Sequence, residues 1–170
     1  MDDLQKILNY AMKMEKDAGN FYAYFEERVE SESTKKLFSE FKGFEAEHYN
    51  MLRKYHDGLG YNDPPITISW VVDSNFAYRN PEIIANNADY IGEPGKNISD
   101  MAVMRTAYLM ENDFEEFYKI AAEKVQDKSA KEFLINLSVW EKQHKDMFYA
   151  RYQQLLREYW SDINSMVLNK

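Results

Sequence analysis

Two Glu-x-x-His motifs stand in this chain, Glu45 with His48 and Glu141 with His144. On a helix, residues three apart lie side by side, so each motif presents a carboxylate and an imidazole together. Glu15 and Glu111 extend the set, because each interrupts a stripe of otherwise apolar residues at helical spacing. Taken singly, a Glu-x-x-His is a common solvated pair. Here two of the chain's three histidines fall in the motif, in register with two stripe glutamates. Four glutamates turned into an apolar core would each cost several kcal/mol of desolvation and would repel one another. Two divalent cations would offset that charge. Oxygen and imidazole donors without sulfur suit iron or manganese and admit zinc.

The elements that must position these residues are four long stretches of helical periodicity, at about 2–30, 34–56, 100–126 and 130–160. The first stripe runs Leu4, Leu8, Ala11, Glu15, Ala18, Tyr22, Phe25 and Val29. The third runs Met104, Ala107, Glu111, Phe114, Tyr118, Ala121 and Val125. Ser129 and Glu132 have the spacing of a capping box for the fourth helix, and Ser33 and Ser99 suit N-caps of the second and third. Short joins make helices one and two a hairpin, and likewise three and four. Between the hairpins, a crossover at about 57–98 holds all four prolines and most of the glycines. Within it, 66–72 is β-prone and 81–90 is expected to form a short helix. So long a connection suits one passage along the length of a bundle. The expected fold class is all-α: a four-helix bundle of two antiparallel hairpins, one domain over 1–170. One glutamate from each of two helices, with Glu-x-x-His from each of the other two, is the ligand set of carboxylate-bridged dimetal bundles.

A shift of 96 residues superposes the hairpins without a gap. Ala11 meets Ala107, Met14 meets Met110, Glu15 meets Glu111 and Asp17 meets Asp113. Phe21 and Tyr22 meet Phe117 and Tyr118; Val29 meets Val125; Ser33 meets Ser129. Glu45, His48 and Met51 meet Glu141, His144 and Met147. Duplication of one hairpin explains the pattern, and two copies packed together give pseudo-twofold symmetry. Tyr22 and Tyr118 lie two turns past Glu15 and Glu111 on the same faces. They are candidates to hydrogen-bond the bridging carboxylates or relay electrons, with core packing as the alternative. Phe44 and Trp140 are read as core, the methionines as core filling, and His56 as solvated.

The chain has no cysteine, which excludes disulfides, zinc–cysteine sites, iron–sulfur clusters and thiol catalysis. Its formal net charge of -8 argues against a nucleic-acid partner. There is no apolar run of transmembrane length, so no membrane partner is expected. The acidic start at Met1, Asp2 and Asp3 is unlike a signal or transit peptide, and the expected location is cytoplasmic.

The residues Glu15-x6-Tyr22, Glu45-x-x-His48, Glu111-x6-Tyr118 and Glu141-x-x-His144 resemble the ferritin-like superfamily, and within it the rubrerythrin-like diiron proteins. The resemblance covers all four helices. It implies that Glu15 and His48 bind one iron, Glu111 and His144 the other, and that Glu45 and Glu141 bridge. Two departures stand out. Rubrerythrins carry a further glutamate three residues after the helix-three ligand, where this chain has Phe114, and they have a glutamate where it has His144. The six-residue set is closer to bacterioferritin. Glu115 is a candidate replacement, since its repeat partner Gly19 leaves room for an inward side chain; a solvated Glu115 is the competing reading.

The function this implies is reduction of hydrogen peroxide or dioxygen at two iron ions, or an iron–manganese or other divalent pair, in protection against oxidative stress. Without cysteines there is no rubredoxin domain, so electrons would come from an external donor such as a rubredoxin. A homodimer is expected. The alternatives are a bacterioferritin-like ferroxidase or iron store, and a non-catalytic helical module with a structural metal.

Overall fold

The computed structural model describes residues 3–62 and 99–168. Four helices account for them: α1 (Asp3–Glu26), α2 (Glu32–Gly58), α3 (Asp100–Lys124) and α4 (Lys128–Leu168). The expected all-α four-helix bundle is what forms. The crossover features at 66–72 and 81–90 lie outside the described residues.

The helix ends show where local sequence was overruled. α1 stops at Glu26, because the Phe25 carbonyl accepts from Arg28 N at 2.9 Å and Val29 N at 3.0 Å and turns the chain. Val29 is buried by that turn. The next two amides are claimed by α3: Asp100 Oδ1 accepts from Glu30 N at 2.8 Å and Oδ2 from Ser31 N at 3.0 Å. Ser31, not Ser33, is therefore the N-cap of α2, in extended conformation. Ser33 Oγ instead accepts from Arg151 Nη2 of α4 at 2.6 Å. At the start of α4, the expected capping role of Ser129 falls to Asp127, whose Oδ1 accepts from Ala130 N at 2.7 Å. α2 closes near Gly60, whose φ of 73° lies in the left-handed region that only glycine enters without cost. α4 runs 41 residues, past the expected end near 160, because residues 128–168 contain no glycine or proline to stop it.

α1 packs on α2, α3 on α4, and α1 meets α3. Tyr22 bonds Glu111 and Tyr118 bonds Glu15, so rising numbers on α1 face falling numbers on α3: the two are antiparallel. α2 and α3 therefore run the same way. Gln5 Nε2 donates to Asn62 O at 3.0 Å, so α2 finishes beside the start of α1. α3 begins beside the end of α1, through Asp100. The flanks of the connection thus sit at opposite ends of the bundle, as a crossover requires.

Two apolar clusters fill the interior. One contains Tyr22, Phe25, Phe38, Phe41, Met104 and Phe148. The other contains Ile7, Leu8, Leu52, Tyr118, Leu134 and Leu137. The glutamates of the two stripes lie in a polar layer between them. No helix of the described residues is long and apolar enough to cross a membrane.

Candidate metal centre

Glu15 is delivered by the apolar stripe of α1, and Glu111 by that of α3. α2 brings Glu45 and His48, and α4 brings Glu141 and His144. All six side chains are buried. Their donor atoms form two overlapping groups of four, Glu15–Glu45–His48–Glu141 and Glu45–Glu111–Glu141–His144, and a smaller one, His48–Glu141–His144, that links them, each with its atoms within 4.8 Å of one another. Glu45 and Glu141 belong to both groups of four. Each of these takes one histidine, one glutamate of its own and the two shared carboxylates. Two adjacent cations could be held this way, with Glu45 and Glu141 between them.

The histidines aim inward. His48 Nδ1 lies 2.9 Å from Glu141 Oε1, 3.6 Å from Glu15 Oε2 and 3.7 Å from Glu45 Oε2. His144 Nδ1 lies 3.3 Å from Glu141 Oε2, 3.5 Å from Glu111 Oε2 and 3.7 Å from Glu45 Oε1. None of these approaches makes a hydrogen bond. Eight buried atoms of the six residues are left without a hydrogen-bond partner: both carboxylate oxygens of Glu45 and Glu141, one each of Glu15 and Glu111, and both Nδ1 atoms. Orphaned buried polar groups are rare and costly. Eight of them converging from four helices fit cations, and a donor set of carboxylates and imidazoles fits iron or manganese.

The protonation pattern has the same origin. Burial, then the charges of Glu111 and Glu15, push the Glu45 carboxyl well above the carboxylate range. Burial raises Glu111 to about 8, with His144 pulling back and Glu141 adding to the rise. Burial also acts upward on Glu141, but the imidazoles of His144 and His48 win and draw it down to about 2. Burial would lower both imidazoles, yet the surrounding carboxylates raise His144 to about 9 and His48 further still. Without cations, Glu45, Glu111 and the two imidazoles hold protons at neutral pH, whereas Glu141 stays ionised. Metal binding at such a cluster displaces protons.

Tyr22 and Tyr118 sit just outside. The expectation that they bond the bridging carboxylates is corrected: the Tyr22 hydroxyl donates to Glu111 Oε1 and the Tyr118 hydroxyl to Glu15 Oε1. Each crosses to the glutamate of the other repeat, because α1 and α3 are antiparallel. Burial, with the carboxylate beside each, pushes both phenols well above their ordinary range.

Other expectations are also corrected. Glu115 is neither solvated nor part of either group; it is buried and gripped by Lys119 and Lys145. His56 is buried, with its Nδ1 3.1 Å from Asp57 Oδ1 and its ring against Tyr61, because α2 carries on into the packed end of the bundle. Phe44 is 38% exposed and Trp140 is half-buried, so neither is deep core. They line the histidines: Trp140 stacks on His48 at 5.5 Å between ring centres and 14°, and Phe44 on His144 at 5.4 Å and 22°. The histidines stack on each other at 5.1 Å and 13°, giving a file of four rings. The sequence carried a signal for this arrangement. Phe44 and Trp140 are repeat partners, each immediately before a shared glutamate.

Residues 6–152 match the rubrerythrin family, a span that includes every residue of both groups. The chain belongs to the rubrerythrin family. A solved structure of a hypothetical protein from Pyrococcus furiosus shares the fold, with a TM-score of 0.65, 21% identity and 91% of each chain covered. No curated protein matches the chain. Phe114 fills the apolar cluster at the Tyr22 end where a further carboxylate was expected, and His144 enters the second donor group.

Proposed function

We propose that this protein is a diiron oxidoreductase that reduces hydrogen peroxide or dioxygen. The observation that carries the reading is the pair of overlapping donor groups sharing Glu45 and Glu141, with eight buried donor atoms otherwise unpartnered. Glu15, Glu45 and His48, with Glu141, would hold one iron; Glu111 and His144, with the same shared pair, would hold the other. Once bound, the irons supply redox electrons and Lewis acidity. Reduction of peroxide to two waters consumes two electrons and two protons.

The chain's own residues do the rest. Tyr22 and Tyr118 fix Glu111 and Glu15 in orientation through buried hydrogen bonds. The apolar clusters on either side exclude water and strengthen electrostatic interactions within. Carboxylates and imidazoles that hold protons at neutral pH would release them as metal enters. The chain has no cysteine to build a second redox centre, so a separate one-electron donor such as a rubredoxin is part of the proposal. So are a homodimer and a cytoplasmic setting.

A ferroxidase or iron-storage role is the second reading. It is favoured by the six-residue set, in which Glu115 is tied to lysines and not added to the centre. Anaerobic ferrous loading and metal analysis should give two irons per chain. Stopped-flow mixing should then oxidise the diferrous protein faster with peroxide than with dioxygen. Faster oxidation by dioxygen, together with a large hollow assembly on size-exclusion chromatography, would favour storage. A loaded but redox-silent protein would sink both readings.

A further inference from the structure

Solvent touches the six residues of the centre almost wholly through the histidines. Glu15, Glu111 and Glu141 are 0% exposed and Glu45 is 1% exposed, against 5% for His48 and 7% for His144. The other sides are closed by packing. Tyr22 and Tyr118, themselves fully buried, cover Glu111 and Glu15. The two apolar clusters close the ends of the polar layer. Within the first hairpin, a Cβ at Gly19 would lie 3.7 Å from Glu45 Cβ, so α1 rests against α2 at that point. Within the second, the Lys145–Glu115 ion pair ties α4 to α3.

The histidines lie in the seam between α2 and α4. These two helices make few close backbone approaches compared with the helices of either hairpin, and aromatic rings fill the space between them. Phe41 meets Phe148 at 4.2 Å between ring centres, and Tyr55 meets Phe133 at 4.5 Å. Between those rungs stand Phe44, His144, His48 and Trp140, at successive spacings of 5.4, 5.1 and 5.5 Å. The imidazoles are the middle pair. Phe44 and Trp140 cover them from either side, and both reach solvent. A wall of backbone opens only when helices part, which disrupts the packing of a whole face. A wall of side chains opens when one ring changes rotamer, and a ring in contact with solvent does so fast, losing only its stacking contacts.

We propose that cations reach the centre through the α2–α4 seam, past the histidines, and that Phe44 and Trp140 govern their passage by turning aside and closing again. The inference rests on the dimetal reading above. It concerns the rate at which ions enter and leave, whereas the ligands set how tightly they are held.

The test is stopped-flow mixing of the metal-free full-length protein with Co²⁺, followed by visible d–d absorption, with release measured by transfer to a chelator. Phe44→Ala and Trp140→Ala should each speed uptake and release together by about tenfold and leave affinity within about threefold. Leu8→Ala, which opens a cavity in the apolar cluster around Tyr118, should leave uptake within about twofold. Because the chain has no cysteine, the thiol of Phe44→Cys can be labelled alone, and a bulky maleimide there should slow uptake about tenfold relative to the unlabelled variant. Equal acceleration by Leu8→Ala would mean that ions enter when the bundle loosens, and would overturn the proposal. So would weaker binding in the alanine variants at an unchanged uptake rate, which would make the rings mere supports for the imidazoles. A label that left the rate unchanged would overturn it too. A protein that stays helical by circular dichroism yet takes up no Co²⁺ would instead overturn the dimetal reading itself.

Discussion

Tyr22 and Tyr118 stand at equivalent places in the repeat and make the same hydrogen bond to a glutamate across the bundle, but what packs around them differs. Tyr22 is enclosed by Phe38, Phe41 and Phe148, with ring centres 5.5, 5.6 and 5.5 Å away. The repeat partners of those three are Leu134, Leu137 and Leu52, and they fill the cluster that holds Tyr118. Phe25 is likewise matched by Ala121. The polar layer keeps its twofold relation while the apolar ends exchange aromatic for aliphatic volume. The physical reason is that carboxylate, imidazole and hydroxyl contacts are directional and leave few alternatives. Apolar packing only requires that volume be filled.

The largest break in this comparison should come from the residues the halves share. Glu45→Ala or Glu141→Ala should remove both metals, whereas Glu15→Ala or Glu111→Ala should remove one; metal analysis per chain decides. If either shared-residue variant retained two ions, the symmetric assignment would fail.

Next come the two apolar ends. Phe148→Ala should cost about 3–5 kcal/mol and Leu52→Ala about 2–5 kcal/mol in urea unfolding of the metal-free protein. Phe148 is expected to be the costlier, because it stacks on Tyr22 at 8° and lies 4.2 Å from the Phe41 ring centre. The reverse order would mean that the aromatic end relaxes around its cavity.

Tyr22→Phe and Tyr118→Phe probe the part that is alike. Each strands a buried carboxylate oxygen, and each should lower metal-free stability by about 1–3 kcal/mol. A loss confined to one variant would show the polar layer to be less symmetric than its hydrogen bonds.

The ion pairs of Glu115 with Lys119 and Lys145 have a pH signature. Burial pushes the Glu115 carboxyl up, but Lys119 and Lys145 outweigh it and hold it below the ordinary carboxylate range. A depressed folded-state pKa gives stability that is present above the unfolded value and lost as pH falls through the folded one. The stability gap between wild type and Glu115→Gln should therefore be full at neutral pH and close in acid. A gap that widened in acid would reverse the sign assigned here.

The smallest effect is expected opposite Glu115. Gly19→Ala has space for its Cβ and replaces a glycine inside α1, so it should raise stability by about 0.5–1 kcal/mol. A fall in thermal midpoint would mean that the helix is tighter against Glu45 than the 3.7 Å contact implies.

The sequence by itself determined the four helices, their pairing into hairpins, the crossover and the six residues that converge. Each of these follows from periodicity, loop length or a repeat without gaps, which are local or self-referential signals. Carboxylates such as Glu15 and Glu111, set in apolar stripes, announce their own burial. Only the tertiary structure decided which partner each group meets. That Tyr22 reaches Glu111 and not a shared glutamate depends on α1 and α3 being antiparallel. That Ser31, and not Ser33, caps α2 depends on Asp100, 69 residues away. That Glu115 is buried depends on a lysine delivered by α4. A residue's choice among hydrogen-bond and ion partners is set by distances between helices, and the order of residues along one helix does not contain them.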